Sequence, residues 1–239
     1  MERKKLLILH GWGSSSLRWR KVKEILEEKG IEVFVPDLPG FGKTPLPRKN
    51  WHFLDYRDWA VEKVKEKGWE RFNLLGHSFG GGVAVMIASK YPALIEKLIL
   101  CSPAIIRKKS LKSFAFYIVA RTGKKIFYLP GMRYFLPWAR WAIYKLCRGK
   151  DYYLAEGEMK RIMKEAISTD LSFCLDKIEA KTLIIWGKKD KTLPLKQAFY
   201  LKEKIKNSKV VVIEKAGHNL ASEVPEKLSQ KVFDFIFEN

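Results

Sequence analysis

Cysteine is scarce in this chain of 239 residues, and potential metal ligands are scattered along it. The cysteines Cys101, Cys147 and Cys174 are odd in number and widely spaced, which argues against the disulfide framework of a small secreted domain. None belongs to a Cys-x-x-Cys pair, and the four histidines do not cluster with them at metal-ligand spacing. The sequence therefore predicts reduced thiols and no metal site.

Long apolar runs are also lacking. No stretch approaches the roughly 18 apolar residues that span a bilayer. The first apolar run, Leu6–Leu9, is short and is followed by Gly11-Trp12-Gly13 instead of a small-residue cleavage site, so a signal peptide is not indicated. We expect a soluble, cytoplasmic protein.

Acidic residues are too few to balance the basic ones. The 46 Lys and Arg stand against 26 Asp and Glu, which gives a formal charge of +20. Such a balance is typical of proteins that bind nucleic acid, anionic membranes or acidic substrates. A Lys-rich surface with almost no glutamine, as in heat-adapted proteins, explains the same charge without any partner. No nucleic-acid-binding module is present, so we expect no nucleic-acid partner.

The chain does contain enough apolar residues, 47%, for a sizeable core, and short apolar runs alternate with amphipathic stretches. Six almost continuously apolar runs indicate strands buried on both faces: Lys5–His10, Glu32–Pro36, Phe72–Gly76, Lys97–Cys101, Thr182–Gly187 and Lys209–Glu214. Five stretches have helical periodicity: Leu17–Lys29, Phe53–Lys67, Phe79–Tyr91, Leu195–Lys206 and Pro225–Phe237. This alternation predicts an α/β fold, a mostly parallel, doubly wound sheet with helices on both faces.

The alternation is interrupted once, between about Ile105 and Lys177. This stretch is helical and aromatic-rich in pattern and contains no convincing strand. We therefore predict an α/β core made of residues 1–104 and 178–239, with a helical cap, residues 105–177, inserted into it.

The motif Gly76-His77-Ser78-Phe79-Gly80 follows directly on a predicted strand and opens a predicted helix. A Gly-x-Ser-x-Gly in this context makes a sharp turn that lifts the serine hydroxyl above the end of the sheet. The glycines at 76 and 80 are needed because side chains there would collide with the neighbouring strand and helix. Ser78 is therefore the candidate nucleophile.

A second turn, His10-Gly11-Trp12-Gly13, ends the first predicted strand. Acyl transfer needs two preorganised donors where negative charge develops. We expect the backbone N–H groups of Trp12 and Phe79 to form this oxyanion hole. Gly11 and Gly13 would shape the turn, and His10 would hold the loop instead of acting as a base.

A nucleophilic serine also needs a base and an acid that orients the base. Asp190 follows the strand Thr182–Gly187, and His218 follows the last strand, so both lie at the carboxyl edge of the predicted sheet. The chain order Ser78, Asp190, His218 is that of α/β-hydrolase triads.

These motifs occur together and in order with Asp37-Leu38-Pro39-Gly40-Phe41-Gly42. On these residues the chain resembles the α/β-hydrolases of the esterase and C–C-hydrolase branch. The resemblance implies a core sheet with a helical cap inserted after Cys101-Ser102-Pro103. Haloalkane dehalogenases and epoxide hydrolases share the fold but carry an aspartate at the elbow, so Ser78 argues against both activities.

The predicted cap is unusually basic, with twelve Lys or Arg and no Asp or Glu between Arg107 and Lys150. The same stretch is rich in aromatics, and Phe114, Trp138 and Trp141 are candidate pocket residues. Three interpretations remain open at this point. The basic residues are simply solvated, they capture an anionic or lipid-like substrate, or they rest on an anionic membrane surface.

The motifs favour a serine hydrolase that cleaves carboxylic esters through an acyl-enzyme, without a cofactor. Two alternatives keep the same fold. One is a C–C bond hydrolase of a carboxylate-bearing keto acid, and the other is a non-catalytic ligand sensor. The sequence leaves the natural ester, the acyl chain length and the oligomeric state open.

Overall fold

The computed structural model describes residues 3–106 and 157–238. Its strands are β1 Lys5–Leu9, β2 Glu32–Phe34, β3 Phe72–His77, β4 Ile95–Cys101, β5 Lys181–Gly187 and β6 Ser208–Ile213. Its α-helices are α1 Arg20–Glu28, α2 Asp55–Glu66, α3 Phe79–Lys90, α4 Gly157–Ser168, α5 Lys196–Lys204, α6 Leu220–Glu223 and α7 Pro225–Phe237. Short 3-10 segments lie at Ser16–Trp19, Pro92–Leu94 and Ser172–Lys177.

The strands form one six-stranded sheet in the order β2-β1-β3-β4-β5-β6. Every pairing among these strands is parallel, from β1 with β2 at one edge to β5 with β6 at the other. Since parallel strands share a direction, their carboxyl ends all lie along one edge of the sheet. The strand order reverses beside β1, where open α/β sheets place their ligand crevice.

Helices cover both faces of the sheet, and alternate strand residues feed two separate cores. Helices α2, α3 and α5 pack on the face that carries Leu7, Leu74 and Ile184. Helices α1, α6 and α7 pack on the face that carries Ile8 and Ile99. The central strands β1, β3, β4 and β5 are mostly buried on both faces, which explains their apolar sequences. The prediction of burial on both faces was wrong for the edge strands β2 and β6, which are only partly buried because each has a neighbouring strand on one side only.

The predicted fold class is confirmed. The structure adds the short helix α6 and the 3-10 turn Pro92–Leu94, which the periodicity did not predict, and the predicted elements differ from it only at their ends. Strand β4 begins at Ile95, two residues before the predicted start at Lys97. The helix predicted from Leu17 begins as the 3-10 turn Ser16–Trp19 and becomes α-helical at Arg20. Helix ends of this kind depend on local hydrogen bonding that hydrophobic periodicity does not encode.

The predicted cap is described only in its last third, where α4 and the 3-10 segment Ser172–Lys177 confirm helical structure. The candidate pocket residues Phe114, Trp138 and Trp141 lie outside the described residues. The domain boundaries therefore stay a prediction. Within the described ranges, no helix is both long enough and apolar enough to cross a membrane.

The junction of β3, α3 and β1 is packed so closely that it tolerates only glycine. A Cβ atom on Gly80 would lie 2.5 Å from the carbonyl oxygen of His10, with the carbonyl of Leu9 equally in its way. A Cβ atom on Gly76 would lie 2.5 Å from the carbonyl oxygen of Gly80. Both obstacles are backbone atoms that cannot rotate aside, so a side chain would push the helix away from the sheet.

We expect Gly80→Ala to lower the free energy of unfolding by about 2 kcal/mol through overpacking, despite the better helix propensity of alanine. The matched control is Gly68→Ala, where φ is +70° but no heavy atom lies within 4 Å of the added Cβ. That variant should cost only the left-handed backbone strain of about 1 kcal/mol. Urea denaturation measures both, and a Gly80→Ala protein as stable as the wild type would contradict the packing argument.

Candidate active site

Ser78 forms the sharp turn between β3 and α3. Its backbone has φ 51° and ψ −114°, a left-handed conformation that non-glycine residues rarely adopt. The surrounding backbone fixes this conformation from both sides. The N–H of Ser78 donates to the carbonyl of Cys101 at 3.1 Å, and its carbonyl accepts from Ala104 at 2.9 Å and from Gly81 at 3.0 Å. The turn thereby places the partly exposed side chain at the carboxyl edge of the sheet.

The three residues proposed as a triad lie in contact with one another. His218 Nε2 lies 3.0 Å from Ser78 Oγ, and His218 Nδ1 lies 2.7 Å from Asp190 Oδ2. A carboxylate only accepts hydrogen bonds, so the ring proton sits on Nδ1 and leaves Nε2 free to accept the serine proton. The structure thus brings together residues that are far apart in the chain. Ser78 and His218 are 140 positions apart, and Asp190 and His218 are 28 positions apart.

Asp190 is held as a carboxylate by donors on both of its oxygens. Its side chain is fully buried; Oδ1 accepts from the N–H groups of Thr192 at 2.7 Å and Leu193 at 2.9 Å. Burial by itself would raise the pKa of Asp190, but the hydrogen bonds from His218, Leu193 and Thr192 outweigh it and hold the pKa below its usual value. The carboxylate therefore remains charged and fixed opposite the imidazole.

The loop that carries His218 is tied down at two points. The carboxylate of Glu223 accepts from the backbone N–H groups on either side, those of Gly217 and Asn219. The end of β5 lies directly against this loop, because a Cβ atom on Gly187 would come within 2.5 Å of the carbonyl oxygen of Ala216. The strand that leads to Asp190 therefore also fixes the position of the His218 loop relative to the sheet.

His10 holds the turn after β1, as expected for a structural histidine. It is fully buried, and its Nε2 accepts the N–H of Leu38 at 2.9 Å while its Nδ1 lies 2.9 Å from the carbonyl oxygen of Gly11. An N–H donor on Nε2 requires the neutral ring with its proton on Nδ1. Burial lowers the pKa of His10, which is consistent with that neutral form.

The two N–H groups proposed for the oxyanion hole belong to residues beside Ser78. Phe79 is the first residue of α3, so its N–H points out of the helix N-terminus without an intrahelical partner. Trp12 packs edge-on against the ring of Phe79, with 5.3 Å between centroids. Gly11 lies so close that a Cβ there would be 3.2 Å from Cβ of Ser78, while Gly13 adopts φ +64° in open space. Trp12 and Phe79 line the same pocket as Ser78, and so do Gly11 and Gly13.

His77 contributes a contact that the sequence interpretation missed. Its Nε2–H donates to the backbone carbonyl of His218 at 2.9 Å, and the two imidazole rings lie 5.0 Å apart. Only 7% of the residue is exposed, and burial lowers its pKa to about 4. A residue next to Ser78 thus supports the loop that carries His218. Nothing in the sequence signals this, since the two residues are 141 positions apart.

A cavity of about 370 Å³ opens above Ser78 and His218. Its polar lining comes from the loops of the core and includes Ser14, Arg18, Thr192 and Asn219. Its apolar lining includes Met163, Ala166 and Ile167 of helix α4, together with Leu193. The cavity has the size of a small-molecule site. Among the described residues, no group of three or more His, Cys, Asp or Glu is placed to hold a metal ion.

The buried, neutral His77 should make stability fall with acid. The unfolded chain takes up a proton below the ordinary pKa of 6.5, whereas the folded protein resists protonation until about pH 4. Stability is therefore complete above pH 6.5 and declines as the pH falls toward 4, by up to about 1.4 kcal/mol per pH unit. We expect His77→Gln, which keeps an N–H donor, to flatten this decline in urea denaturation curves.

The matched control for that experiment is His52→Gln, because 53% of the His52 side chain is exposed. It should leave the pH dependence of stability as it is in the wild type. Parallel curves for the wild type and His77→Gln would show that His77 is not held neutral.

Comparison with known proteins places the whole chain in one family. The sequence profile of the alpha/beta hydrolase fold matches residues 4–122 and 133–224. Human monoacylglycerol lipase ABHD6 is 26% identical over 252 residues, which cover 97% of this chain and 74% of that protein. A serine hydrolase-like protein of Dictyostelium discoideum is 25% identical over 98% of this chain and 75% of its own length.

Solved structures are similar in fold at low sequence identity. An esterase of Exiguobacterium antarcticum superposes with a TM-score of 0.76 at 23% identity, over 98% of this chain and 92% of that one. A meta-cleavage product hydrolase of Pseudomonas fluorescens superposes with a TM-score of 0.71 at 21% identity, over 98% and 91%. The family profile covers most of the residues, and the described sheet and turns agree with it. The chain belongs to the alpha/beta hydrolase fold family.

Proposed function

We propose that this protein is a serine hydrolase that cleaves carboxylic esters through an acyl-enzyme. The observation that carries the proposal is the continuous hydrogen-bonded chain from Asp190 through His218 to Ser78 Oγ, with links of 2.7 and 3.0 Å. This chain ends in a cavity of suitable size, beside the helix N-terminus at Phe79. Nucleophile, base, orienting acid and oxyanion donors thus meet at one point.

In the acylation step, Ser78 Oγ attacks the ester carbonyl carbon while His218 Nε2 takes the hydroxyl proton. The carbonyl oxygen becomes an oxyanion that the N–H groups of Trp12 and Phe79 stabilise. Asp190 stabilises the imidazolium that forms and keeps its own charge. Collapse of the intermediate breaks the bond to the leaving alcohol, and His218 returns the proton to the alcohol oxygen.

In the deacylation step, a water molecule takes the place of the alcohol. His218 removes one proton from the water as its oxygen attacks the acyl carbon, and the same two N–H groups stabilise the second oxyanion. Collapse of this intermediate breaks the bond to Ser78 Oγ, which recovers its proton from His218. The products are one carboxylic acid and one alcohol, and no cofactor takes part.

The comparisons support ester substrates in particular. The relatives include a monoacylglycerol lipase, and the structural neighbours include an esterase and a membrane phospholipase A. The apolar lining residues Met163, Ala166 and Ile167 offer an acyl chain a surface in the same cavity as Ser78. Burial of each methylene against such a surface stabilises the bound chain by about 0.8 kcal/mol.

C–C bond hydrolysis is the second candidate, because it uses the same triad and because a meta-cleavage product hydrolase is among the structural neighbours. At 21% identity that likeness concerns the fold alone. A non-catalytic ligand sensor would also keep this fold. Turnover of simple esters separates the first proposal from the sensor, and cleavage of a vinylogous keto acid tests the C–C hydrolase.

Ser78→Ala should abolish hydrolysis of p-nitrophenyl esters, because no other side chain occupies the nucleophile position at the turn. The assay compares wild type and variant on a series from acetate to palmitate, following nitrophenol release. The chain-length profile of the wild type then measures how much acyl chain the cavity accepts. A fluorophosphonate should label the wild type and fail to label the variant.

Substantial Ser78-independent turnover would overturn the nucleophile assignment. A folded wild type that hydrolyses none of the esters and is not labelled would overturn the esterase proposal and favour the sensor. Labelling without ester turnover, together with cleavage of a vinylogous keto acid, would favour the C–C hydrolase.

Asp190→Asn tests the orienting acid. The amide presents an N–H to His218, so the ring turns to the wrong tautomer and Nε2 can no longer accept the serine proton. We expect kcat to fall by up to about 10⁴ with little change in KM, by analogy with serine proteases. Asp58→Asn, on the exposed face of α2 and hydrogen-bonded to Arg57, is the matched control and should be fully active. A wild-type kcat for Asp190→Asn would mean that another group orients His218.

A further inference from the structure

Arg18 brings a permanent charge to the cavity above Ser78. Among the described residues that line this cavity, it is the only lysine, arginine, aspartate or glutamate. The two histidines of the lining, His77 and His218, are already committed to hydrogen bonds within the site. The described lining of the cavity therefore carries one positive charge, the Arg18 guanidinium, and no acidic side chain.

The segment that carries Arg18 is anchored on both sides. The N–H of Ser16 donates to Oδ1 of Asp37 at 2.6 Å, which fixes the start of the 3-10 turn. The ring of Trp19 is 1% exposed and lies 6.0 Å from the ring of His77, which in turn bonds the His218 loop. The backbone position of Arg18 relative to the triad is thus set by buried contacts, while its side chain stays exposed.

Nearby acidic side chains already have other partners. Asp190 holds His218, Glu223 holds the backbone of the same loop, and Asp37 holds the N–H groups of Ser16 and Lys43. On helix α4, Glu158 and Glu165 pair with Arg161 and His52, away from the cavity lining. The described residues give the Arg18 guanidinium no ion pair, so a bound anion would be its counter-ion.

An anion at Arg18 would share the cavity with the apolar residues of α4. These residues, Met163, Ala166 and Ile167, have no polar side-chain group to offer. The cavity therefore suits a molecule with an apolar end and an anionic end, joined near the ester that Ser78 attacks. A guanidinium forms two parallel hydrogen bonds to a phosphate or a carboxylate, which gives such recognition both strength and direction.

We propose that Arg18 is a specificity-determining residue. It selects esters whose alcohol part carries an anionic group, a phosphate or a carboxylate. This inference rests on the proposed esterase function and narrows its substrate class. It assigns the selection to the α/β core itself, independently of the basic residues of the predicted cap.

Two substrate pairs test the proposal, each with one neutral and one anionic member. The phosphate pair is 1-butanoylglycerol and 1-butanoylglycerol 3-phosphate, and the carboxylate pair is butyl hexanoate and 4-hexanoyloxybutanoate. Acid release gives kcat/KM for the wild type, Arg18→Gln and Arg18→Lys. Arg20→Gln is the matched control, since Arg20 is an exposed neighbour that pairs with Glu24 and does not line the cavity.

We expect Arg18→Gln to lower kcat/KM for an anionic substrate about tenfold, which corresponds to about 1.4 kcal/mol, mainly through KM. The neutral partner should be unaffected, Arg18→Lys should recover part of the loss, and Arg20→Gln should behave as the wild type. High ionic strength should reduce the preference of the wild type. The pair that shows the effect identifies whether phosphate or carboxylate is the favoured group.

Equal effects of Arg18→Gln on the neutral and anionic members would overturn this inference while leaving the esterase proposal intact. The same holds if Arg18→Gln and Arg20→Gln lower the anionic rates equally, because general surface charge would then explain the preference. Absence of Ser78-dependent hydrolysis for all four esters would overturn the esterase proposal and this inference together.

Discussion

The left-handed turn at Ser78 is the constraint around which the site is assembled. A φ of 51° in a serine costs about 1–2 kcal/mol relative to a relaxed backbone, so the surrounding structure has to hold it. Hydrogen bonds to Cys101 and Ala104 join the turn to the end of β4, and the glycines at 76 and 80 let α3 lie against β1 and β3 without a gap. The same close packing brings the turn after β1 beside Ser78, where Trp12 contacts Phe79. Strain at one residue and tight packing at its neighbours are therefore parts of one arrangement.

The fold class, the triad residues and the turn after β1 could all be predicted from the sequence, because each depends on local pattern or on chain order. Strands buried on both faces are apolar throughout, and parallel strands end at one edge, so Asp190 and His218 had to lie near Ser78 once the strands were identified. The catalytic roles of these residues are our proposal. The contacts that hold these residues in place could not be predicted in the same way. His77 to His218, Trp19 to His77 and Asp37 to Ser16 are contacts between segments far apart in sequence, and their residue types would suit many other positions.

Arg18 illustrates why the pocket is harder to infer than the triad. In the sequence it is one of 46 lysines and arginines, and a second arginine, Arg20, stands on the other side of Trp19. The sequence alone points instead to the basic stretch of the predicted cap, where positive charge is densest. Only the folded backbone shows that Arg18 faces the cavity while Arg20 pairs with Glu24 on the surface of α1. Total charge describes the long-range field of the protein, whereas the proposed selection depends on a single charge that no described residue neutralises.

Three histidines near the site show how the same side chain takes different tasks according to its partners. His10 carries its proton on Nδ1 because Leu38 donates to Nε2, and His77 carries its proton on Nε2 because that atom faces the carbonyl of His218. Both rings are buried and have a lowered pKa, so they serve as neutral hydrogen-bonding links between loops. His218 differs because its Nδ1 faces a carboxylate and its Nε2 faces a hydroxyl. Only this ring has a fixed negative charge on one side to stabilise a positive imidazolium and a transferable proton on the other. The capacity for base catalysis thus comes from the arrangement of neighbours around the ring, and it is this arrangement that the strained turn, the end of β5 and the His218 loop together maintain.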